Sequence, residues 1–198
     1  MNNNIKQGPG LYLGRFSPIH GGHEAVANAM IQKCKDNCAF ILGSVNAPQS
    51  LKHFFSAEER EKFIKILYPN ISIIRQNDVR NQGSDSENDQ LRLQQLDHNI
   101  EQQFPGQYDN TTFYGGCYED VEFFEKDNRN IIYMDRFDGT TPLISATQIR
   151  QLLITLTLTE SNDNIRIQRL LDANIINPKI AELLLSTFIP KRHEFEKK

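Results

Sequence analysis

Short apolar runs alternate with longer amphipathic segments along this chain. Each run is apolar or aromatic and ends close to a glycine, an asparagine or another polar residue, which is typical of buried strands. Five strands are predicted on this basis: GLYLGRF (10–16), CAFILGSV (38–45), ISIIR (71–75), TTFYGG (111–116) and NIIYMD (130–135).

The segments between the runs carry helix signals. Val26, Met30 and Cys34 share one face of a helix that follows His23. SAEE at 56–59 and SATQ at 145–148 both have the form of a capping box. Further helices are predicted over 90–104, over 145–154 and after Asn177, where Pro178 takes the first helical position.

Two polar segments are harder to assign. NQGSDSEND (81–89) is rich in glycine and serine and is predicted as a loop. ITLTLTESNDN (154–164) alternates threonine with leucine, which suits a strand, but the end of a helix followed by a loop suits it too.

Alternating strands and helices predict an α/β fold, a Rossmann-like doubly wound parallel sheet with helices on both faces and further helices at the C-terminus. Such sheets bind ligands at the carboxyl ends of their strands. Residues 1–198 are predicted as one domain, because neither an internal repeat nor a composition shift divides the chain, and 1–9 and 191–198 are predicted as flexible tails.

Composition narrows the class of protein. A net charge of −3 argues against a general nucleic-acid binder, and no apolar run reaches the length of a membrane span. The N-terminus lacks the apolar core of a signal peptide. Three cysteines without a paired arrangement favour a reduced, cytoplasmic protein.

The stretch GRFSPIHGGH (14–23) places two histidines and two glycines at the start of a helix that follows a strand. A helix N-terminus presents unpaired N–H groups and partial positive charge, and both favour phosphate. His20 and His23 can add donors, Gly22 leaves room for an anion, and Arg15 and Ser17 follow the strand directly. We expect a polyphosphate site here.

Two plainer interpretations compete with that one. A lone histidine near a strand end is usually structural, and an HxxH pair can bind a metal. No third or fourth ligand is evident, so no dedicated metal site is predicted. The strand–turn–helix context favours phosphate.

A second candidate is ISATQIR (144–150). Ser145 and Thr147 lie at a predicted helix start, and Arg150 lies within the first two turns. A hydroxyl, backbone N–H groups and a guanidinium can all bind phosphate oxygens there. An ordinary capped helix with a surface arginine is the alternative, and only the first motif makes phosphate the better interpretation.

Together the two motifs resemble those of the nucleotidylyltransferase superfamily, whose patterns are GxFxPxHxGH and ISxTxxR. The chain is most similar to the archaeal-type nicotinamide mononucleotide (NMN) adenylyltransferases and to the adenylyltransferase half of their fusions with Nudix hydrolases. GSVNAPQSLKHFFSAEER (43–60), ENDQLRLQQL (87–96) and NPKIAELL (177–184) extend the resemblance over most of the chain.

The resemblance implies transfer of AMP from ATP to a phosphate-bearing acceptor, with release of pyrophosphate. It assigns catalysis to His20, His23 and Arg150. It assigns ATP and phosphate binding to Gly14, Arg15, Phe16, Ser17, Gly22, Lys52, Gly115, Ser145, Thr147 and Arg150. Mg²⁺ is expected to be bound mainly through the triphosphate. A solvated surface lysine is an equally good interpretation of Lys52, and a plain turn is nearly as good an interpretation of Gly115.

Departures from the family pattern fall at the acceptor. The aromatic residue that stacks on nicotinamide aligns with Arg92, and the chain contains no tryptophan. Gln49 replaces an arginine, and Asn46 keeps its family position. Asn46 and Arg92 are therefore the predicted acceptor-binding residues, with NMN as the favoured acceptor and NAD biosynthesis as the pathway.

Two alternatives remain open. One keeps the chemistry and changes the substrates, to a cytidylyltransferase or an adenylyltransferase for another phosphorylated metabolite. The other is a catalytically inactive nucleotide-binding regulatory module, against which both intact motifs argue. Neither nucleic acid nor a membrane is expected as a partner, and a homo-oligomer is left open.

Overall fold

The computed structural model describes residues 8–79, 84–134 and 144–195, with residues 193–195 described by their backbone alone. The strands are β1 (Gly10–Gly14), β2 (Cys38–Leu42), β3 (Ser72–Arg75), β4 (Thr112–Gly115) and β5 (Asn130–Tyr133). The helices are α1 (Gly21–Cys34), α2 (Ala57–Leu67), α3 (Asp85–Gln103), α4 (Glu122–Lys126), α5 (Ala146–Thr159), α6 (Asp163–Asp172) and α7 (Pro178–Phe195).

Two compact units divide the chain, and each consists of three separate segments. The sheet unit comprises Met1–Gly14, Val26–Asn46 and Ile71–Asp135, and the helical unit comprises Arg15–Ala25, Ala47–Asn70 and Arg136–Lys198. The single domain over 1–198 stays a prediction.

The sheet unit contains all five strands, which are parallel and lie in the order β3-β2-β1-β4-β5. The chain moves outward from β1 to β3 on one side and then from β4 to β5 on the other. The order therefore reverses between β1 and β4, which is the position at which sheets of this kind bind ligands.

Both faces of this sheet are covered, as parallel strands require. Alternate strand residues on one face pack with Leu96 and Ile100 of α3 and with Phe124 of α4. On the other face α1 packs so closely that a Cβ at Gly10 would lie 2.7 Å from Cys34 Sγ and 2.8 Å from Met30 Cγ. A side chain at position 10 would therefore push α1 off the sheet.

The helical unit is held by aromatic packing around α7. This helix contacts α2, α5 and α6. Phe54 and Phe188 stack at 4.4 Å between ring centroids, and Phe55 meets Phe63 edge to face at 5.3 Å. Lys191 of α7 also forms an ion pair with Glu59 of α2.

The predicted α/β class and all five predicted strands are confirmed, although most strands end earlier than predicted. Both predicted capping boxes are present, at Ser56 with Glu59 and at Ser145 with Gln148. Cys34 is buried, as the apolar face of α1 predicted. Among the residues that the structure describes, no helix combines the length and apolar character needed to cross a bilayer.

The polar segments show one wrong prediction, one resolved alternative and two omissions. The loop predicted over 81–89 is helical from Asp85, because Ser84 and Glu87 form a third capping box, and residues 81–83 lie outside the described ranges. Of the two alternatives for residues 154–164, the end of a helix followed by a loop is confirmed, since α5 continues to Thr159 and α6 begins at Asp163. Helices α4 and α6 were not predicted, and Asn162 caps α6 through its side chain.

The described backbone extends into both predicted tails. Pro9 is buried, and its carbonyl accepts a hydrogen bond from the Thr112 amide at 2.9 Å. At the other end α7 continues to Phe195, so residues 191–195 are helical. Residues 1–7 and 196–198 lie outside the described ranges.

Candidate phosphate site

One cavity of about 180 Å³ in the helical unit contains most of the predicted phosphate-binding residues. Three separate parts of the chain contribute: the loop after β1, the loop before α2 and the start of α5. Its lining consists of Arg15, Phe16, Ser17, His20, His23, Lys52, Ser145, Ala146, Thr147 and Arg150. All three residues predicted as catalytic therefore lie in one place.

The loop that follows β1 turns sharply at Phe16. This residue is buried and has φ +49°, in the left-handed region that a residue with a bulky side chain rarely adopts. Such a conformation costs on the order of 1–3 kcal/mol and persists only where its surroundings hold it. Next to it, Ser17 Oγ is buried and has no hydrogen-bond partner within the described part of the chain. Ser17 thus lines the cavity and has a hydroxyl whose hydrogen-bonding capacity is unused within the described ranges.

The two histidines are in direct contact. Their ring centroids are 3.7 Å apart with an interplanar angle of 35°, and Phe16 meets the His23 ring edge to face at 5.1 Å. His20 is buried, and its Nδ1 accepts a hydrogen bond from the Gly22 amide at 3.2 Å. Because Nδ1 accepts, the neutral ring carries its proton on Nε2. His20 therefore has an N–H donor opposite its backbone contact.

The N-terminus of α1 differs from the expectation of open amide groups. The Gly21 amide donates to the carbonyl of Ile175 at 3.1 Å, and the Gly22 amide is bound to His20. Glu24 N donates to His20 O within the helix. The cavity therefore relies on side chains more than on these amides, and Gly22 contributes by fixing the His20 ring.

At the start of α5, Ser145 and Arg150 are held in different ways. Ser145 Oγ accepts from the Gln148 amide at 3.2 Å within the capping box. Arg150 Nη1 donates to the carbonyl of Ser17 at 2.6 Å, and Nη2 donates to Thr147 Oγ1 at 3.0 Å. The guanidinium thus connects α5 to the loop after β1 and keeps further N–H donors for a ligand.

The charge of the cavity is of one sign. Arg15, Lys52 and Arg150 line it, and its described lining includes no carboxylate. Burial and, next, the nearby positive charge of Arg15 lower the pKa of Arg150 below its usual value. Cations brought together in this way favour a polyanionic ligand. Lys52 is exposed and also lies in the lining, so the surface alternative stays open and its phosphate contact stays a prediction.

Within the described ranges, no group of three or more histidine, cysteine, aspartate or glutamate side chains is arranged to hold a metal ion. The HxxH pair therefore has no protein partners for metal binding there. This donor set fits a divalent cation that arrives already bound to phosphate oxygens and water.

The remaining predicted ATP-binding glycines belong to the sheet unit. Gly14 ends β1, and its carbonyl accepts from the Gly43 amide at 2.9 Å. A Cβ at Gly115 would lie 2.6 Å from Val121 Cγ1 and 3.0 Å from the Cys117 carbonyl. The tight turn after β4 thus explains Gly115 by itself, and ATP contact at either glycine stays a prediction.

The two predicted acceptor residues also lie in the sheet unit, each bonded to neighbours. Asn46 Oδ1 accepts from the Asp78 amide at 2.7 Å, and Asn46 Nδ2 donates to the Asp78 carbonyl at 3.0 Å. Arg92 is paired with Asp89 at 3.2 Å and lies 5.7 Å from the centre of the Phe123 ring. The Arg92 side chain remains 44% exposed.

Sequence reasoning missed Arg60, which is only 3% exposed although it lies on α2. Its Nη1 donates to the carbonyl of Arg15 at 2.9 Å, and its Nε donates to the carbonyl of Ser56 at 3.2 Å. One feature of the sequence pattern could have indicated this residue. Arg60 falls three residues before Phe63 and four before Ile64, on the apolar face of α2, where arginine is rarely found unless it is hydrogen-bonded or paired.

Comparison with known proteins identifies a family and one curated relative. A family model described as cytidylyltransferase-like matches residues 11–152. A nicotinamide-nucleotide adenylyltransferase from Methanocorpusculum labreanum is 39% identical over 51 residues, which is 26% of this chain and 30% of that protein.

Solved structures share the fold. The bifunctional NMN adenylyltransferase/ADP-ribose pyrophosphatase from Francisella tularensis superposes with a TM-score of 0.61 and 19% identity, over 74% of this chain and 42% of that chain. A NadR protein in complex with NAD and AMP-PNP gives a TM-score of 0.53 and 20% identity, over 73% of this chain and 42% of that chain. The chain therefore spans less than half the length of these relatives.

Proposed function

Because this chain belongs to the cytidylyltransferase-like family, we propose that it is a nucleotidylyltransferase. It transfers the AMP moiety of ATP to a phosphate-bearing acceptor and releases pyrophosphate. The observation that carries this proposal is the cavity in which Arg15, Lys52 and Arg150 meet two histidines, with no carboxylate in the described lining.

In this reaction an oxygen of the acceptor phosphate attacks the α-phosphorus in line. The bond from the α-phosphorus to the bridging oxygen breaks, and pyrophosphate leaves. Protein groups then have little covalent chemistry to perform, so positioning and charge stabilisation dominate. The cavity suits that task, since its donors come from three fixed parts of the helical unit.

The polar lining residues are assigned separate contacts with the triphosphate in this proposal. Arg150 keeps donors beyond those bound to Ser17 and Thr147, and it holds the β- and γ-phosphates with Lys52 and Arg15. The Ser17 hydroxyl, buried and without a partner in the described ranges, donates to a phosphate oxygen. Ser145 and Thr147 add hydroxyl contacts at the start of α5.

The histidine pair acts at the reacting phosphate. His20 offers the Nε2 proton because its Nδ1 is bound to the Gly22 amide. His23, in contact with the His20 ring, stabilises the charge that develops in the transition state. Donors placed in advance toward that charge each contribute roughly 10²–10³ in rate.

A divalent cation, Mg²⁺, is expected as part of the ATP complex. The same Francisella tularensis enzyme has been solved in complex with AMP and a manganese ion. In this chain the side chains named above would bind the phosphates, while the cation neutralises part of their charge.

Nicotinamide mononucleotide is the proposed acceptor, which would place the protein in cytoplasmic NAD biosynthesis. The curated relative is a nicotinamide-nucleotide adenylyltransferase. Arg92 is the proposed acceptor contact, since its half-exposed guanidinium can bind a phosphate or carboxylate or stack on a planar ring. Asn46 is proposed to line the same site, after giving up a bond to Asp78 or through its second amide hydrogen.

The family description itself favours one second candidate, a cytidylyltransferase with the same phosphate chemistry. An assay of pyrophosphate release with Mg²⁺, across ATP and CTP against acceptors that include NMN, separates the two. Release with ATP and NMN is expected. Pyrophosphate release with CTP but not with ATP would favour the cytidylyltransferase. If the protein binds ATP but releases pyrophosphate with no substrate pair, the regulatory module is favoured.

A further inference from the structure

The loop after β1 is bonded at two carbonyls by two different arginines. Arg60 Nη1 donates to the carbonyl of Arg15 at 2.9 Å, and Arg150 Nη1 donates to the carbonyl of Ser17 at 2.6 Å. Between them lies Phe16 with φ +49°. The two guanidiniums therefore act on either side of the strained residue.

Arg60 occupies a position where an apolar residue would be the ordinary choice. Its neighbours on the same face of α2 are Phe63 and Ile64, both fully buried. A buried cation is costly unless hydrogen bonds compensate for the lost water. The hydrogen bonds of Arg60 include one to the carbonyl of Ser56, the N-cap of α2, and one to the carbonyl of Arg15 in the cavity loop.

The two arginines differ in their relation to the cavity. Arg150 lines it, whereas Arg60 does not. When a polyphosphate binds, Arg150 must serve the ligand as well as the Ser17 carbonyl and Thr147. Arg60 has no such competing ligand in the cavity, so its bond to Arg15 can persist in the bound state.

We propose that Arg60 is a positioning residue for polyphosphate binding. By holding the Arg15 carbonyl it keeps the turn at Phe16, and through that turn it sets the Arg15 side chain and the Ser17 hydroxyl toward the cavity. The nature of the ligand rests on the proposed function, but the role of Arg60 in shaping the loop does not depend on which base or acceptor is used.

The test compares Arg60→Met and Arg60→Lys with wild type. Methionine fills similar volume without donors, and lysine keeps the charge but cannot form the same two bonds. Lys62→Met is the matched control, because Lys62 is an exposed cation on the same helix. Inorganic pyrophosphate binding is measured by calorimetry, the melting temperature by scanning calorimetry, and turnover in the substrate assay above.

We expect Arg60→Met to weaken pyrophosphate binding roughly tenfold to a hundredfold, the effect of losing a charge-assisted hydrogen bond. KM for ATP rises in parallel, and KM for the acceptor changes less than twofold. Arg60→Lys recovers part of the loss, and Lys62→Met matches wild type. A structural role alone would lower the folded fraction and kcat without changing pyrophosphate affinity.

Unchanged pyrophosphate affinity in folded Arg60→Met overturns the proposal. If that variant does not fold, Arg60→Lys decides: a wild-type affinity in it overturns the proposal, and a weakened one with a native melting temperature supports it. A wild type that binds pyrophosphate but turns over no substrate pair contradicts the proposed function, while the comparison of affinities still tests Arg60.

Discussion

The candidate phosphate cavity and the predicted acceptor residues differ in whether their polar side chains are already paired within the chain. In the cavity, cations from distant parts of the chain meet without carboxylates in the described lining. At the acceptor residues, Asn46 is bonded to the Asp78 backbone and Arg92 to Asp89. The cavity therefore holds cations that face no carboxylate in its described lining, whereas the predicted acceptor residues already have partners in the chain.

This difference follows from the chemistry of the two ligands. A polyphosphate is recognised by charge and N–H donors, and a tight turn followed by a helix supplies them within a few residues. An acceptor is recognised by shape and by pairs of side chains far apart in the chain. A motif can therefore indicate the first site, while the second depends on contacts such as the one between Asn46 and Asp78.

The largest effect is expected from His23→Ala. The proposed transition-state contact is lost, and turnover should fall by about a hundredfold to a thousandfold or more. Pyrophosphate release is measured under saturating substrates, with the melting temperature as a check of the fold. His98→Ala is the control, because His98 is exposed on α3 and bonded to Gln102. Near-normal turnover in folded His23→Ala would contradict the proposed catalytic role of His23.

Arg150→Lys should come next, with kcat/KM for ATP reduced roughly a hundredfold. Lysine retains the charge but cannot bind the Ser17 carbonyl, Thr147 and a phosphate at once. Arg169→Lys is the matched control, since Arg169 forms an exposed ion pair with Glu160. An equal reduction of kcat/KM for ATP and for the acceptor would contradict a role of Arg150 in ATP binding alone.

Arg92→Ala is expected to raise KM for the acceptor about tenfold or more and to leave KM for ATP unchanged, because a charge-assisted contact is removed. Asp89→Asn breaks the ion pair but keeps the guanidinium, so its acceptor KM should not rise. Initial-rate measurements with each substrate varied check both. An unchanged acceptor KM in Arg92→Ala would remove this residue from the acceptor site.

The smallest effect is expected from Asn46→Ala. Two exposed hydrogen bonds to the Asp78 backbone are lost, which should lower the free energy of unfolding by about 1 kcal/mol. The acceptor KM should rise less than in Arg92→Ala. Urea titration and initial rates give the two numbers. A large rise in acceptor KM at unchanged stability would show that Asn46 mainly binds ligand.

Local signals predicted much of the fold. Strands with dense apolar runs were all found, since burial on both faces leaves little room for polar residues. The start of α3 was not predicted, because glycine and serine locally favour a loop, whereas the capping box of Ser84 and Glu87 begins the helix at Asp85. Helix α6 was missed because few of its residues are buried.

The candidate site divides in the same way. The cavity-lining histidines and Arg150 were predicted because each belongs to a compact motif. Arg60 was not, since its bond to Arg15 joins residues forty-five positions apart and no local pattern encodes it. Ala146 lines the cavity without a chemical group that a motif could reveal.

The like charges of Arg15 and Arg150 have a practical consequence for ligand discovery. Burial and, next, the positive charge of Arg15 lower the pKa of Arg150, and the repulsion between the two cations arises from the folded arrangement of the chain. A polyanion that binds the cavity reduces this repulsion. At a ligand concentration of one hundred times Kd, binding raises the free energy of unfolding by about 2.7 kcal/mol. The shift in melting temperature therefore reports binding, and a library of phosphorylated metabolites can be ranked by that shift before a turnover assay is chosen.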